Sequence, residues 1–288
     1  MKIVKYLPIL FLLAPGCRGG GVTPMDLRAG IYPTATLTLT PTLTPTSTPG
    51  IAPTQTPAPA ATLVFLAIGD SYTGGNGAST ITNGFAWLET AVLDIWYPET
   101  AQSNFGYGGY GTDDYIGESL STNDANTSSL NVPRIGVMFG VNDLRQPYAA
   151  AWSALDPHKG PAGSYYSNLS DCQAHSYNFK ANLETIITTF RAHHSGMICV
   201  LDTIPDITNN GDGPSHFAGW DDYEGCLAAY NARIPEIAVD LNYVFVADVY
   251  TAMQGHTEYY STDHIHPNDD GHAVIAALNE AQFSSPPR

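Results

Sequence analysis

At 288 residues, 43% of them hydrophobic, the chain has material for one well-buried domain and a tail, but not for two full domains. Acidic residues outnumber Lys and Arg by 27 to 11, for a formal net charge of −16. Four cations (Lys2, Lys5, Arg18, Arg28) but only one acid (Asp26) precede residue 62, so the rest is strongly acidic. That sign repels phosphate backbones and anionic headgroups, which argues against nucleic-acid binding and electrostatic membrane docking.

The chain opens MKIVKYLPILFLLAPGC, with two lysines, an apolar stretch from Tyr6 to Ala14, and then small residues. Residues 1–21 therefore read as an export leader, too short to span a bilayer. Its LLAPGC end leaves two outcomes open, simple cleavage or a lipid anchor on Cys17, and either places the protein outside the cell, secreted or at its surface. Residues 22–62 read as a linker. The stretch from Tyr32 to Thr62 holds 11 Thr and 7 Pro in 31 residues; Pro removes ladder donors and little apolar surface is there to bury. Such a chain is a semi-rigid spacer at about 3.1 Å per residue.

From Leu63 to the end, 63–288, strand-like and helix-like segments alternate. LVFLAIGD is an apolar run, GFAWLETAVLDIWY has helical spacing, and NFGYGGYGTDD (104–114) is a glycine-rich loop. PRIGVMFGVND and GMICVLDTIP read as buried strands, with the helix-like CQAHSYNFKANLETIITTFRAHH between them. DDYEGCLAAYNARIPEIAV reads as a helix, NYVFVADVY as a strand, and NDDGHAVIAALNEAQF as the closing helix. Strands separated by helices predict parallel pairing with helices on both faces, a three-layer α/β domain. Reactive residues in such sheets sit beyond the carboxyl ends of strands. Ser71 and Asn142 follow two of those ends, and long loops leave the same edge after Leu144 and Pro205.

An oxidising compartment permits one disulfide among Cys172, Cys199 and Cys226. Cys172 and Cys226 each lie near the start of a helix, and the two helices precede successive parallel strands. A regular right-handed winding would bring those starts together, so a 172–226 bridge is expected, with Cys199 buried as a small hydrophobe. Pairing through Cys199 and the absence of any bridge are the alternatives.

Chemistry-bearing residues gather in three further stretches. In DHIHPNDDGH (263–272), Pro267 stiffens the backbone at His266, and Asp263 can curl back to orient that imidazole and stabilise its protonated form. Asn268 is a good N-cap, with Asp269 and Asp270 suited to the first helical turn. Three histidines among aspartates could also describe a metal site, but His264 and His266 would point to opposite faces of extended backbone and His272 falls on the final helix. His264 is then a partly exposed neighbour of the site. In FGVND (139–143), the Asn142 amide is a neutral donor suited to an oxyanion, and glycine-loop N–H groups would serve the same purpose.

Together these pieces resemble the SGNH, or GDSL, hydrolase family. Gly69-Asp70-Ser71 matches its first block, Gly109 its second with Gly108 as the alternative, Gly140-Val141-Asn142-Asp143 its third and Asp263-His264-Ile265-His266 its last, in the right order over about residues 63–282. The resemblance implies a flavodoxin-like α/β/α fold with about five parallel strands and ester hydrolysis. It implies Ser71 as nucleophile, His266 as base, Asp263 as its orienter, and Gly109 and Asn142 as oxyanion donors. The G-x-S-x-G elbow of α/β-hydrolases is absent around Ser71.

The expected activity is hydrolysis of short acyl esters, acetyl above all, on small molecules or neutral polysaccharides, by a monomer needing no cofactor or metal. Tyr148, Trp152, Tyr165, Tyr166, Phe217 and Trp220 in the long loops suit sugar rings. A lysophospholipase or thioesterase acting on lipid esters, and a non-catalytic carbohydrate-binding module, are the rival readings.

Overall fold

The computed structural model describes residues 63–96, 100–145, 169–207 and 223–284. The leader, the linker and the six loop aromatics named above all lie outside them.

Strand β1 (Leu63–Gly69) is buried from Val64 onward, as a strand with neighbours on both edges and helices on both faces must be. Helix α1 (Phe85–Trp96) leads to β2 (Ala101–Gly106). From there α2 (Thr112–Asp114) runs through a π-helical turn, Tyr115–Ser119, into α3 (Leu120–Thr127), which returns the chain to β3 (Asn131–Met138). A short α4 (Val141–Arg145) follows, and α5 (Leu169–His193) precedes β4 (Ile198–Asp202). Helix α6 (Tyr223–Asp240), β5 (Val244–Ala247), α7 (Val249–Met253) and α8 (Asp269–Phe283) complete the order.

The five strands are all parallel in the order β2-β1-β3-β4-β5. This is the flavodoxin-like order, which reverses between β1 and β3 and opens a crevice at the strands' carboxyl ends. Helices α1 and α8 pack on each other, as do α5 and α6, with α3 against α5. Right-handed crossovers put these two groups on opposite faces. The sheet between them carries the core, with Leu66, Ile68, Ile135, Val137 and Val200 inaccessible to solvent.

The structure corrects one sequence reading. The stretch 104–114 is not a single loop, because Asn104, Phe105 and Gly106 end strand β2 and Thr112 begins a helix. Strand β2 is AQSNFG, polar and mostly half-exposed; as an edge strand it pairs only with β1 and needs no apolar run.

Cys172 and Cys226 are joined, with Cα atoms 5.7 Å apart, inside the span that a disulfide requires. Each is the fourth residue of its helix, and Cys199 stays free and buried in β4. No described helix is long and apolar enough to cross a membrane.

Candidate active site

The register of the sheet sets the site. Gly69, the last residue of β1, lies opposite both Gly106 of β2 and Met138 of β3, so three adjacent strands end level. The ladder runs one step further on each side, with Asp70 N–H donating to Met138 O at 3.1 Å and Tyr107 N–H to Gly69 O at 2.9 Å. Ser71, the Tyr107–Gly111 segment and Asn142 therefore leave one edge, in the crevice where the strand order reverses.

Ser71 stands in a tight turn. Asp70 Oδ1 accepts from Tyr72 N at 2.9 Å, and the carbonyls of Asp70 and Ser71 accept from Gly74 N and Asn76 N, both at 3.0 Å. From below, Asn104 of β2 donates to Thr73 O at 2.8 Å. The serine is only 6% exposed.

His266 comes from a hairpin-like turn closed by a bridge between Tyr260 and Pro267 and by Ser261 N–H donating to His266 O. His264 takes a left-handed φ of 56° there and is half-buried, a conformation histidine tolerates better than most residues. Asp263 turns inward. Its Oδ1 accepts from Ser261 Oγ at 2.7 Å and from Ile265 N and His266 N at 2.9 Å, and its Oδ2 meets His266 Nδ1 at 2.6 Å. Partial burial pushes this carboxyl upward, but the His266 ring, the two backbone N–H groups and the Ser261 hydroxyl together hold it well below the usual range. An ionised Asp263 fixes the proton on Nδ1, leaving Nε2 to accept from Ser71 Oγ at 2.8 Å.

The third side holds the glycine loop. Asn142, nearly buried at the start of α4, donates through Nδ2 to Tyr110 O at 3.0 Å, leaving its second N–H for another acceptor. Asp143 accepts from Thr112 N at 3.0 Å and Thr112 Oγ1 at 2.6 Å; burial pushes its carboxyl up to about 6, against those two bonds. The pair thus grips both ends of the turn. Gly109 within it has φ 85°, with open space where a Cβ would stand, while a Cβ on Gly108 would lie 3.8 Å from Asn76 Nδ2. The backbone N–H groups of Ser71 and Gly109 have no protein acceptor among the described residues.

All five residues singled out in the sequence, Ser71, Gly109, Asn142, Asp263 and His266, thus face one crevice. Others went unnoticed. The Tyr72 hydroxyl, fully buried, donates to the carbonyl of Ile265, next to His266. Asp269, expected only as a first-turn charge, also accepts from Ser79 N at 2.7 Å, Ser79 Oγ at 2.6 Å and Asn83 Nδ2 at 2.8 Å. Buried His272 accepts from Phe85 N at 3.3 Å through Nδ1 and donates from Nε2 to Asn76 O at 3.1 Å. Burial pushes it down to about 4. Both ring nitrogens of His266 and of His272 are thus engaged by the chain itself. Asn268 is the expected cap, accepting from Asp270 N and Gly271 N, and its amide also donates to Glu258 O at 2.7 Å and Tyr260 O at 3.1 Å.

A carboxylate, an imidazole and a hydroxyl hydrogen-bonded in line form the arrangement that serine hydrolases use on several unrelated folds. The model of the GDSL-like Lipase/Acylhydrolase family matches residues 67–274. The chain belongs to that family, and it is a carboxylic ester hydrolase. Among solved structures it is similar to a lipase from a goat rumen metagenome (17% identity, 79% of this chain and 100% of that one, TM-score 0.59). It is also similar to a variant of an acetyl xylan esterase from Geobacillus stearothermophilus (17%, 77% and 94%, 0.53) and to an extracellular lipase from Streptomyces rimosus (17%, 77% and 100%, 0.52). At such identity the shared property is the fold. The chain has no significant match among curated proteins.

Proposed function

We propose that Ser71 is the nucleophile of an esterase that works through an acyl-enzyme. The observation that carries this reading is the unbroken chain Asp263 Oδ2, His266 Nδ1, His266 Nε2, Ser71 Oγ, at 2.6 and 2.8 Å. Ser71 Oγ attacks the ester carbonyl as its proton passes to His266 Nε2, and Asp263 stabilises the imidazolium. The tetrahedral oxyanion is held by the N–H groups of Ser71 and Gly109 and by the remaining N–H of Asn142. When the carbonyl reforms, the C–O bond to the alcohol breaks and the alcohol leaves with the proton from His266. Water then gives a proton to His266 and attacks the acyl group, and Ser71 regains its proton as the acid departs. Besides the ester, the steps draw only on the chain's own residues and water.

The substrate we propose is a short acyl ester, acetyl first, on a neutral carbohydrate outside the cell. Support comes from the leader, the Thr/Pro spacer, the acidic composition and the loop aromatics, and from the acetyl xylan esterase among the similar folds. Ser71→Ala is expected to fold and to lose three or more orders of magnitude in turnover, as triad members do, and a phosphonate should label wild type at Ser71. Retained activity, or labelling elsewhere, would remove the assignment. Acetate release from acetylated xylan, set against hydrolysis of nitrophenyl acetate and decanoate, tests the substrate; preference for decanoate with no acetate released favours a lipid ester instead.

A further inference from the structure

We infer that the side-chain amide of Asn76 is a substrate-binding group, which hydrogen-bonds a hydroxyl on the alcohol part of the ester and so favours esters of sugars and polyols. The inference rests on Ser71 being the nucleophile and on a short acyl group, which has no polar atoms beyond the ester for Asn76 to meet.

Asn76 stands where the three parts of the site converge. Its N–H donates to the carbonyl of Ser71 at 3.0 Å, and its own carbonyl accepts from His272 Nε2 at 3.1 Å. Its neighbour Gly77 lies against the His266 turn, since a Cβ there would stand 2.8 Å from His266 Cβ and 2.3 Å from Pro267 O. Its side-chain nitrogen would be 3.8 Å from a Cβ on Gly108, in the glycine loop. The nucleophile's turn and the glycine loop border Asn76, and the base borders its neighbour Gly77.

The local sequence isolates its side chain. Gly75 and Gly77 have φ of 80° and 89°, and with Gly74 they leave Asn76 the only side chain in Gly-Gly-Asn-Gly. Asparagine in a turn ordinarily bonds back to its own backbone. Here the amide is exposed and makes no hydrogen bond among the described residues, while its backbone is fixed at both ends. His272 keeps that grip because Phe85 N–H occupies Nδ1, which leaves the proton on Nε2.

A fixed backbone presenting an unengaged amide is a preorganised polar contact. The amide has two donors and an acceptor and no charge, a match for a hydroxyl, which both gives and takes a hydrogen bond.

The test compares wild type with Asn76→Ala on three substrates: a monoacetylated methyl xyloside with a free neighbouring hydroxyl, its deoxy analogue, and nitrophenyl acetate. The expected loss in kcat/KM on the xyloside is about tenfold greater than on the other two, the worth of one hydrogen bond, and falls mainly in KM. Equal losses on all three, no loss on any, or a wild type that ignores the xyloside while hydrolysing nitrophenyl acetate would each overturn the inference. Turnover of nitrophenyl acetate that survives Ser71→Ala would instead overturn the nucleophile on which it rests, and the two failures are distinguishable.

Discussion

Tyr72 and Ile265 are 193 residues apart, yet each is the chain neighbour of a central residue of the site, Ser71 and His266. Their hydrogen bond runs alongside the one between Ser71 Oγ and His266 Nε2, so the two turns are tied twice. The rings of Tyr72 and His266 also pack at 5.9 Å. Tyr72→Phe would keep the ring and strand the buried Ile265 carbonyl, an expected loss of about 1–3 kcal/mol of stability. Turnover should fall too, as the His266 turn loses its second tie. Urea denaturation with steady-state kinetics measures both, and wild-type values for each would show the hydroxyl to be idle. The sequence made Asp263 and His266 visible because an orienting carboxylate three residues before a histidine is a local pattern, and Ser71 because Gly-Asp-Ser directly follows an apolar, strand-like run. Tyr72, Asp269 and His272 act across nearly 200 residues of sequence, and no spacing announces such a partner.

Among elements, the central strands β1, β3 and β4 were legible because burial on both faces demands an apolar run; β2 and β5 lie at the two edges, where no such demand is made, and only β5, VFVA, is apolar. The importance of β2 is positional. Gly106 brings Tyr107 level with Gly69 and so delivers the glycine loop to the crevice. The helix pair α5 and α6 was legible down to its covalent tie, because right-handed winding brings helix starts together on one face. The bridge at Cys172 and Cys226 lies three residues into each helix. It therefore pins the two points at which the chain returns from the long segments after Leu144 and Pro205. Replacing both cysteines with Ser should cost about 2–5 kcal/mol, chiefly by freeing the unfolded chain. Thermal denaturation of the double variant checks this; an unchanged midpoint would mean that the bridge closes no entropy-rich loop.

For the whole molecule, two groups of buried titratable side chains set opposing limits on stability. His272 is solvent-inaccessible and must be neutral, since Phe85 N–H requires a lone pair on Nδ1. Its folded value near 4 lies below the ordinary histidine value of 6.5. The stability it contributes is complete above about pH 6.5 and is lost as pH falls toward 4, in all about 3 kcal/mol. On the same α8, Asn279 donates to Glu89 Oε1 of α1 at 2.8 Å and to Asp202 Oδ2 of β4 at 3.4 Å, all three inside the core. Among the described residues, Glu89 Oε2 and Asp202 Oδ1 are buried without hydrogen-bond partners. Burial, and for Glu89 also the neighbouring Asp202, pushes both carboxyls well above their usual range against the Asn279 bonds. For these groups the sign reverses: their contribution is fullest below the unfolded carboxylate range, near pH 4, and declines as pH rises through the folded values. Stability against pH is therefore the sum of two opposed limbs, one from His272 that rises between about pH 4 and 6.5, and one from the buried acids that falls from about pH 4 upward. Glu89→Gln keeps the shape and cannot ionise, so its melting temperature should exceed wild type at neutral and alkaline pH and converge on it near pH 4. His272→Gln should act on the other limb, removing the rise that His272 contributes between about pH 4 and 6.5 and lowering stability above it, because the Phe85 and Asn76 contacts weaken. Melting curves from pH 4 to 9 for the three proteins separate the limbs, and a Glu89→Gln curve parallel to wild type throughout would show that Glu89 is no source of the alkaline decline.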